Sequence, residues 1–412
     1  MPTLVNLLWI GFLVRISTSE FIALMAMLIA TVALSIDGML PALPHIAAQL
    51  SPDNPNQAQS VLSSFVVGMA LGTFVMGPLS DSFGRKRIIY FGAGLYVVSA
   101  AVCIIATSLE TMLLARLLQG IGAAGPRVVS HALVRDLYSG REMARISSFI
   151  MIVFALVPAM APLLGAGVML FFEWQAIFAV FILFVVVSTT WMGLRITEPI
   201  TAQNRVTFRL ESFKSAVIEI LSFPIVRAAI VTLVFSYSIL FTALLMVQPV
   251  FDYYFNRAVS FPIWFALISI FAASASFVNA MLVMKLGMRR LVSGAFWVQV
   301  AWSLSMLLLL YADLMTGPLG FAIFVFWMFG IFFHAGMTMG NLTALAMEPL
   351  GHIAGTAASV VSALATMGSV VLAGIAGQFF DGTPAAMMIG VAVFSCCGVI
   401  GAHWLRRYER HS

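Results

Sequence analysis

Charge is what this sequence has least of. Asp, Glu, Lys and Arg together make up 9% of its 412 residues, where a soluble domain carries about 25%. Hydrophobic residues make up 62%, and the mean hydropathy is +1.05. A soluble fold must present a mostly polar outside, so this balance excludes a soluble enzyme, a disordered chain and a nucleic-acid binder. Cysteine is almost missing as well. Cys103, Cys396 and Cys397 all fall within apolar runs, with no metal or redox spacing. The six histidines, at 45, 131, 334, 352, 403 and 411, are scattered, and no His-Glu-x-x-His run appears. No Gly-x-x-x-x-Gly-Lys phosphate loop is present, so ATP does not drive the protein directly. No metal site, no cofactor and no catalytic cluster is expected, and no charged ring or filter-like repeat suggests a channel.

What is there is a series of long apolar runs, each near the ~20 residues that a transmembrane helix needs. Twelve can be read: 21–43, 58–80, 88–107, 110–134, 145–169, 174–196, 224–250, 261–284, 291–312, 318–342, 353–378 and 384–405. They are too long and too little alternating for barrel strands. The expectation is an all-α membrane protein of twelve transmembrane helices in two six-helix halves. Of the 21 basic residues, 18 fall on one side of these runs, Arg257 alone lies opposite, and Arg116 and Arg127 lie inside a run. By the positive-inside rule both termini are cytoplasmic, which an even number of spans satisfies.

The longest connection on the basic side, 197–222, divides the chain near its middle. Its first part, with Glu198, Pro199, Gln203 and Asn204, has the composition of a linker. Its second part, 208–223, carries Phe213, Val217, Ile218 and Leu221 at helical spacing, which suggests a helix lying in the interface. The expected divisions are an N-terminal extension (1–19), a first half (20–197), the central linker (198–222) and a second half (223–412). The apolar stretch 4–14 is too short to span and lacks the basic flank of a signal peptide. The turns after the second and eighth runs echo each other. Gly77-Pro-Leu-Ser-Asp81-Ser-Phe-Gly84-Arg85-Lys-Arg87 matches Ala280-Met-Leu-Val-Met284-Lys-Leu-Gly287-Met-Arg-Arg290, with an offset of 203 for both the glycine and the final arginine. An internal repeat of that length is a transporter arrangement.

Charges at membrane depth are costly and usually functional. Three lie clearly inside runs: Asp37, Arg116 and Arg127. Asp37 and Arg116 fall at similar depth below one face, about 10 Å by helical rise, and are expected to pair. Making and breaking that pair would let Asp37 take up and release a proton. Arg127 follows Arg116 by close to three full turns and shares its face with Gly120 and His131; a static role in helix packing is the alternative for each. Tyr237, Phe241, Leu244 and Gln248 share a face of the seventh run, and His334, Thr338 and Asn341 share a face of the tenth. Polar stripes thus fall on runs one, four, seven and ten. Among the abundant Phe and Met residues, a few such as Met39 beside Asp37 would give an adaptable cavity wall. Gly68…Gly72 and Gly336…Gly340 have the spacing for close helix packing, more simply within the chain than between chains.

The turn Gly77-Pro-Leu-Ser-Asp81-Ser-Phe-Gly84-Arg85-Lys-Arg87 resembles the signature turn of the major facilitator superfamily. Leu34-Ser-Ile-Asp37-Gly-Met-Leu-Pro41-Ala-Leu-Pro44, Arg116-Leu-Leu-Gln119-Gly120, Arg127-Val-Val-Ser-His131-Ala-Leu-Val-Arg135-Asp136 and Glu348-Pro-Leu-Gly-His352 resemble its bicyclomycin-resistance (Bcr/CflA-type) drug:proton antiporters. The resemblance implies a twelve-helix transporter of the bacterial inner membrane, acting as a monomer. Its partners would be a small-molecule substrate, protons and the lipid bilayer, and the proton gradient would be its energy source. It implies a central cavity lined by helices one, four, seven and ten, and a cytoplasmic lock formed by Gly77, Asp81, Gly84, Arg85 and Arg87. It also places an antiporter motif on helix five at Pro158, Pro162 and Gly165, where Ala161 and Ala166 replace one glycine of each family pair. Ile29 stands where some multidrug relatives carry a second acid, which argues against dicationic substrates.

Overall fold

The structure is a computed structural model that describes residues 16–199 and 210–408. The stretch 4–14, together with Gln203 and Asn204, lies outside the described residues. Fifteen α-helices and short 3₁₀ or π turns make up the described chain, with no strand among those residues. In order, α1 is Thr18–Asp37, α2 Leu43–Leu50, α3 Ser60–Phe83, α4 Arg85–Ile105, α5 Leu109–Leu137, α6 Gly140–Met169 and α7 Ala176–Arg195. After α8 (Leu210–Ser222) follow α9 Pro224–Pro249, α10 Phe261–Ala272, α11 Ser274–Leu286, α12 Met288–Tyr311, α13 Gly317–Met347, α14 Ala354–Gln378 and α15 Ala385–Arg407.

Eleven stretches among the described residues are long and apolar enough to cross a membrane. The expected run missing from that set is α5. Its length is sufficient, but Arg116, Gln119 and Arg127 lower its mean apolarity. Two other expected spans are interrupted. The first run ends as a helix at Asp37, because Pro41 and Pro44 each open a new turn instead of continuing the old one, as residues without an N–H donor do. The eighth run breaks at Ala273 into α10 and α11, where the Ser274 hydroxyl turns back 2.6 Å onto the Phe271 carbonyl, a bond that competes with the helical ladder. The π turn Val250–Tyr254 follows Pro249 for the reason that ends α1.

Gly84 and Gly287 give the sequence echo a common geometry. Each ends one helix and begins the next, with φ of 102° and 77°, a backbone region open to glycine. Their equivalent basic turns therefore bend in the same sense at α3–α4 and α11–α12.

Helices α1, α3, α4, α5, α6 and α7 pack mainly among themselves, as do α9, α12, α13, α14 and α15. The two groups meet where α3 lies against α14 and α6 against α10. The α3–α5 contact is close because of Gly68 and Gly72, which face the backbone of α5 at Leu117 and Ile121. The Gly68…Gly72 spacing thus serves packing within the chain. Helix α8 also packs inward: Ile220 is buried, and Phe213, Val217 and Leu221 lie against the core, but Ile218 is exposed. The single apolar face expected of 208–223 therefore excludes Ile218.

Candidate functional site

Between α3 and α5 on one side and α9, α13 and α14 on the other lies a cavity of about 400 Å³. Polar side chains include Asp81 on α3, Arg85 on α4, Arg127, His131 and Arg135 on α5, Tyr237 on α9, Thr343 on α13 and Ser359 on α14. Successive helical turns set Arg127, His131 and Arg135 in one file. Arg127 is half-buried and donates to the Met69 sulfur at 3.3 Å; among the described residues it has no carboxylate partner. Tyr237 stacks on Phe241, their ring centroids 6.2 Å apart. The cavity therefore offers two guanidiniums without a counter-ion among the described residues, Arg127 and Arg135, an imidazole, a phenol and hydroxyls beside apolar wall, with the Asp81–Arg85 ion pair at its rim. These groups suit a molecule with hydrogen-bonding or anionic parts on a hydrophobic body.

Asp37 and Arg116 lie at one level, as expected, but they do not pair. The Arg116 guanidinium donates to the Ser35 carbonyl at 3.0 Å, the Val61 carbonyl at 3.3 Å and the Gln119 side chain at 2.7 Å. Its face sits 4.3 Å above the Phe65 ring. Two causes explain the correction. Side chains of Ser35 and Asp37 point about 200° apart around the helix, and α5 adjoins the Ser35 side. In addition, α1 stops at Asp37, so the Ser35 carbonyl belongs to its last turn and lacks a helical partner, and a cation is favoured there. The Ser35 hydroxyl is itself bonded to Tyr96 at 2.5 Å. Asp37 is 5% exposed and is the one buried carboxylate among the described residues. No cation there stands within pairing distance of it. Across from it, the antiporter-motif helix α6 runs unbroken through Pro158 and Pro162. Gly165 brings the two backbones together, because a Cβ there would be driven onto the Gly38 carbonyl.

The remaining candidates are dispersed. Gly120 is a contact glycine against the Phe65 and Met69 backbone rather than an opening to the cavity. Met39 is fully buried in the core. Thr338 is bonded to Ser236 at 2.7 Å and Asn341 to Asn279 at 2.7 Å, each joining helices. His334 turns away from both, with its ring 4.7 Å from that of Phe296 on α12. The tenth-run stripe is thus not one cavity wall. Gln248 lines a separate small recess with Asn56, Gln59 and Tyr253, far along the molecule from Arg127. There the Asn56 amide donates to the Gln378 carbonyl at 3.4 Å and the Phe380 carbonyl at 2.7 Å, binding the two helix groups together.

The signature turn is a closed ionic cluster. Arg85 meets Asp81 at 2.6 Å and Asp136 at 2.7 Å, and its guanidinium also donates to the Ser80 hydroxyl at 2.6 Å. Gly77 lies beside Ser359 of α14 and Gly84 makes the bend, while Arg87 is exposed. Sequence reasoning missed two members. The motif assigns Asp136 no role, and composition places Glu198 in a linker. Both Glu198 carboxylate oxygens accept from the Arg85 and Lys86 backbone N–H groups at 2.9 Å, capping α4. An acid shortly after a span, at the same face as a helix N-terminus, was the signal that identifies such a cap. In the second copy, where Met284 replaces the acid, Glu348 reaches Arg289 at 3.7 Å.

The family model of the Major Facilitator Superfamily matches residues 23–373. The chain is 28% identical over 393 residues to a bicyclomycin resistance protein homolog of Haemophilus influenzae, covering 94% of this chain and 96% of that one. It is 33% identical over 160 residues to the multidrug resistance protein MdtL of Escherichia coli, covering 39% of this chain and 41% of that one. Among solved structures, a D-xylose-proton symporter superposes with a TM-score of 0.75 at 14% identity, over 94% of this chain and 97% of that one. A peptide transporter of the POT type superposes with a TM-score of 0.73 at 13% identity, over 95% and 94%. The latter pair shares the fold; the former pair agrees with the subgroup resemblance carried by the motifs around Asp37, Arg116 and Arg127. The chain is a multi-pass membrane transporter and belongs to the major facilitator superfamily, on its bicyclomycin-resistance (Bcr/CflA-type) side.

Proposed function

We propose that the protein exports small drug-like molecules across the bacterial inner membrane in exchange for protons, by alternating access between its two helix groups. The reading takes α5 as a twelfth span, despite its arginines, and both termini as cytoplasmic. The cavity around Arg127 and Tyr237 would hold the substrate. Asp37 would carry the proton. The observation that bears most on this is the burial of Asp37 without a cation beside it. An unpaired carboxylate is expensive to bury, and such a group within a membrane domain is a candidate proton carrier. The drug-resistance names of the relatives support the substrate class, and two cavity guanidiniums without an ion-pair partner among the described residues, Arg127 and Arg135, favour neutral, zwitterionic or mildly anionic molecules over dications.

The test uses purified protein in liposomes with a trapped pH dye and an imposed proton gradient. Phenicol-like and bicyclomycin-like drugs and amino-acid-like metabolites are added in turn. The expected outcome is proton flux in the exchange direction with several unrelated drugs, abolished in Asp37→Asn while that variant still inserts. Equal flux in Asp37→Asn would place the proton elsewhere. Flux with one metabolite alone would make the protein a dedicated exporter, and flux in the co-transport direction would make it an importer.

A further inference from the structure

A second cavity, of about 430 Å³, lies between α12 and α13, outside the central one. It is a groove whose walls run from Arg290 past Gly294, Val298 and His334 to Trp302 and Phe326. Three features set it apart from an ordinary helix seam. Val298, Trp297 and Phe326 are each about three-fifths exposed, so this side of the helix pair is turned outward, toward lipid. Arg290, at the end with the basic turn, is exposed and has no ion-pair partner among the described residues. His334, only 3% exposed, has no well-formed hydrogen bond at either ring nitrogen among the described residues, only a weak approach to the Ala295 backbone on the groove wall. A buried polar group left unpaired is costly, and an imidazole always offers a donor.

We propose that this groove holds an anionic phospholipid, its phosphate on Arg290, its glycerol-ester oxygens at His334 and an acyl chain along Val298, Trp302 and Phe326. The register fits. His334 stands beside Phe296, about 9 Å along α12 from Arg290 by helical rise, which is the ester region beneath a headgroup held at Arg290. The apolar lining continues toward Trp302, about 18 Å from Arg290 by the same rise, the direction in which a tail runs into the bilayer. The end bearing Arg290 is the one rich in basic residues, and the leaflet facing such an end is the anionic one. No acidic side chain lines the groove.

Native mass spectrometry of the purified full chain, offered phosphatidylglycerol or phosphatidylcholine, tests the assignment. The wild type should retain phosphatidylglycerol about fivefold better, roughly what one basic residue contributes at a membrane surface. A Cβ on Gly294 meets nothing within 4 Å, so Gly294→Leu fills the groove without disturbing the fold and should eliminate retention. Arg290→Gln should bring the two lipids level, and His334→Leu should lower retention of both. Equal retention of the two lipids by the wild type overturns the proposal, as does unchanged retention in Gly294→Leu or His334→Leu. An unchanged phosphatidylglycerol preference in Arg290→Gln does so too.

Discussion

Arg116 illustrates how a single residue is legible in position and not in partner. A charge inside an apolar run is conspicuous in any sequence, so Asp37, Arg116 and Arg127 stood out at once. Which way each side chain points depends on which helices adjoin, and no local signal carries that. The Ser35 and Val61 carbonyls that receive Arg116 are backbone atoms, invisible to a search for charged partners. The arrangement makes a specific demand: a planar fork that reaches two carbonyls and a side-chain amide while stacking on Phe65. Lysine, a point charge on a flexible stem, cannot meet it. Arg116→Lys is expected to lose at least one charge-assisted hydrogen bond and to lower stability by about 1.5–3 kcal/mol. The check is thermal unfolding of the detergent-purified protein against Arg127→Lys, whose guanidinium has the Met69 sulfur as its one hydrogen-bond partner among the described residues and whose exchange should leave the melting temperature nearly unchanged.

Helix existence was readable from apolar length, but helix ends and seams were not. The apolar run continues through Pro41 and Pro44, so hydropathy carries it past Asp37, although the prolines restart the helix there. The consequence is functional, because it leaves Asp37 at a helix end, opposite the α6 motif. The same motif makes a measurable distinction among glycines. A Cβ at Gly165 would enter the Gly38 backbone, whereas a Cβ at Gly94 meets nothing within 4 Å. Backbone against backbone cannot yield by a rotamer change, so α1 and α6 must separate. Gly165→Ala is expected to cost about 1–3 kcal/mol, the usual range for overpacking, and to reduce exchange with it. Gly94→Ala should be neutral or slightly stabilising, since alanine is the better helix former. Unfolding midpoints of the two variants against the wild type decide this, and equal midpoints would mean that the close approach carries no energy.

Across the whole molecule the two helix groups meet at two opposite ends, through hydrogen bonds at one and through packing at the other. At one end Asn56 donates to the Gln378 and Phe380 carbonyls, where α14 terminates. At the other the Asp81–Arg85–Asp136 cluster braces the turn beside α14, with Gly77 near Ser359 and Arg135 near Gly355. The cavity with Arg127 opens between them, nearer the Arg85 end. The family signature made the Arg85 end readable from sequence, apart from Asp136 and Glu198. The Asn56 end was unreadable, because it joins a loop amide to carbonyls more than 300 residues away. If the groups rock about the cavity, the contacts at each end stabilise closure there, and weakening them shifts the population toward opening at that end. Asn56→Ala deletes two hydrogen bonds, each contributing about 0.5–1.5 kcal/mol, so the open fraction at that end should rise by about five- to a hundredfold. A cysteine at Ala58, which is 2% exposed and lines the recess beside Asn56, reports on it in a background with Cys103, Cys396 and Cys397 replaced by alanine. Its labelling by a membrane-impermeant maleimide should accelerate by that factor in Asn56→Ala. It should slow in Arg85→Gln, where releasing the turn that packs on α14 loosens the opposite end and draws the population the other way. Identical labelling rates in all three proteins would mean that these contacts hold static helices together and do not govern which end opens.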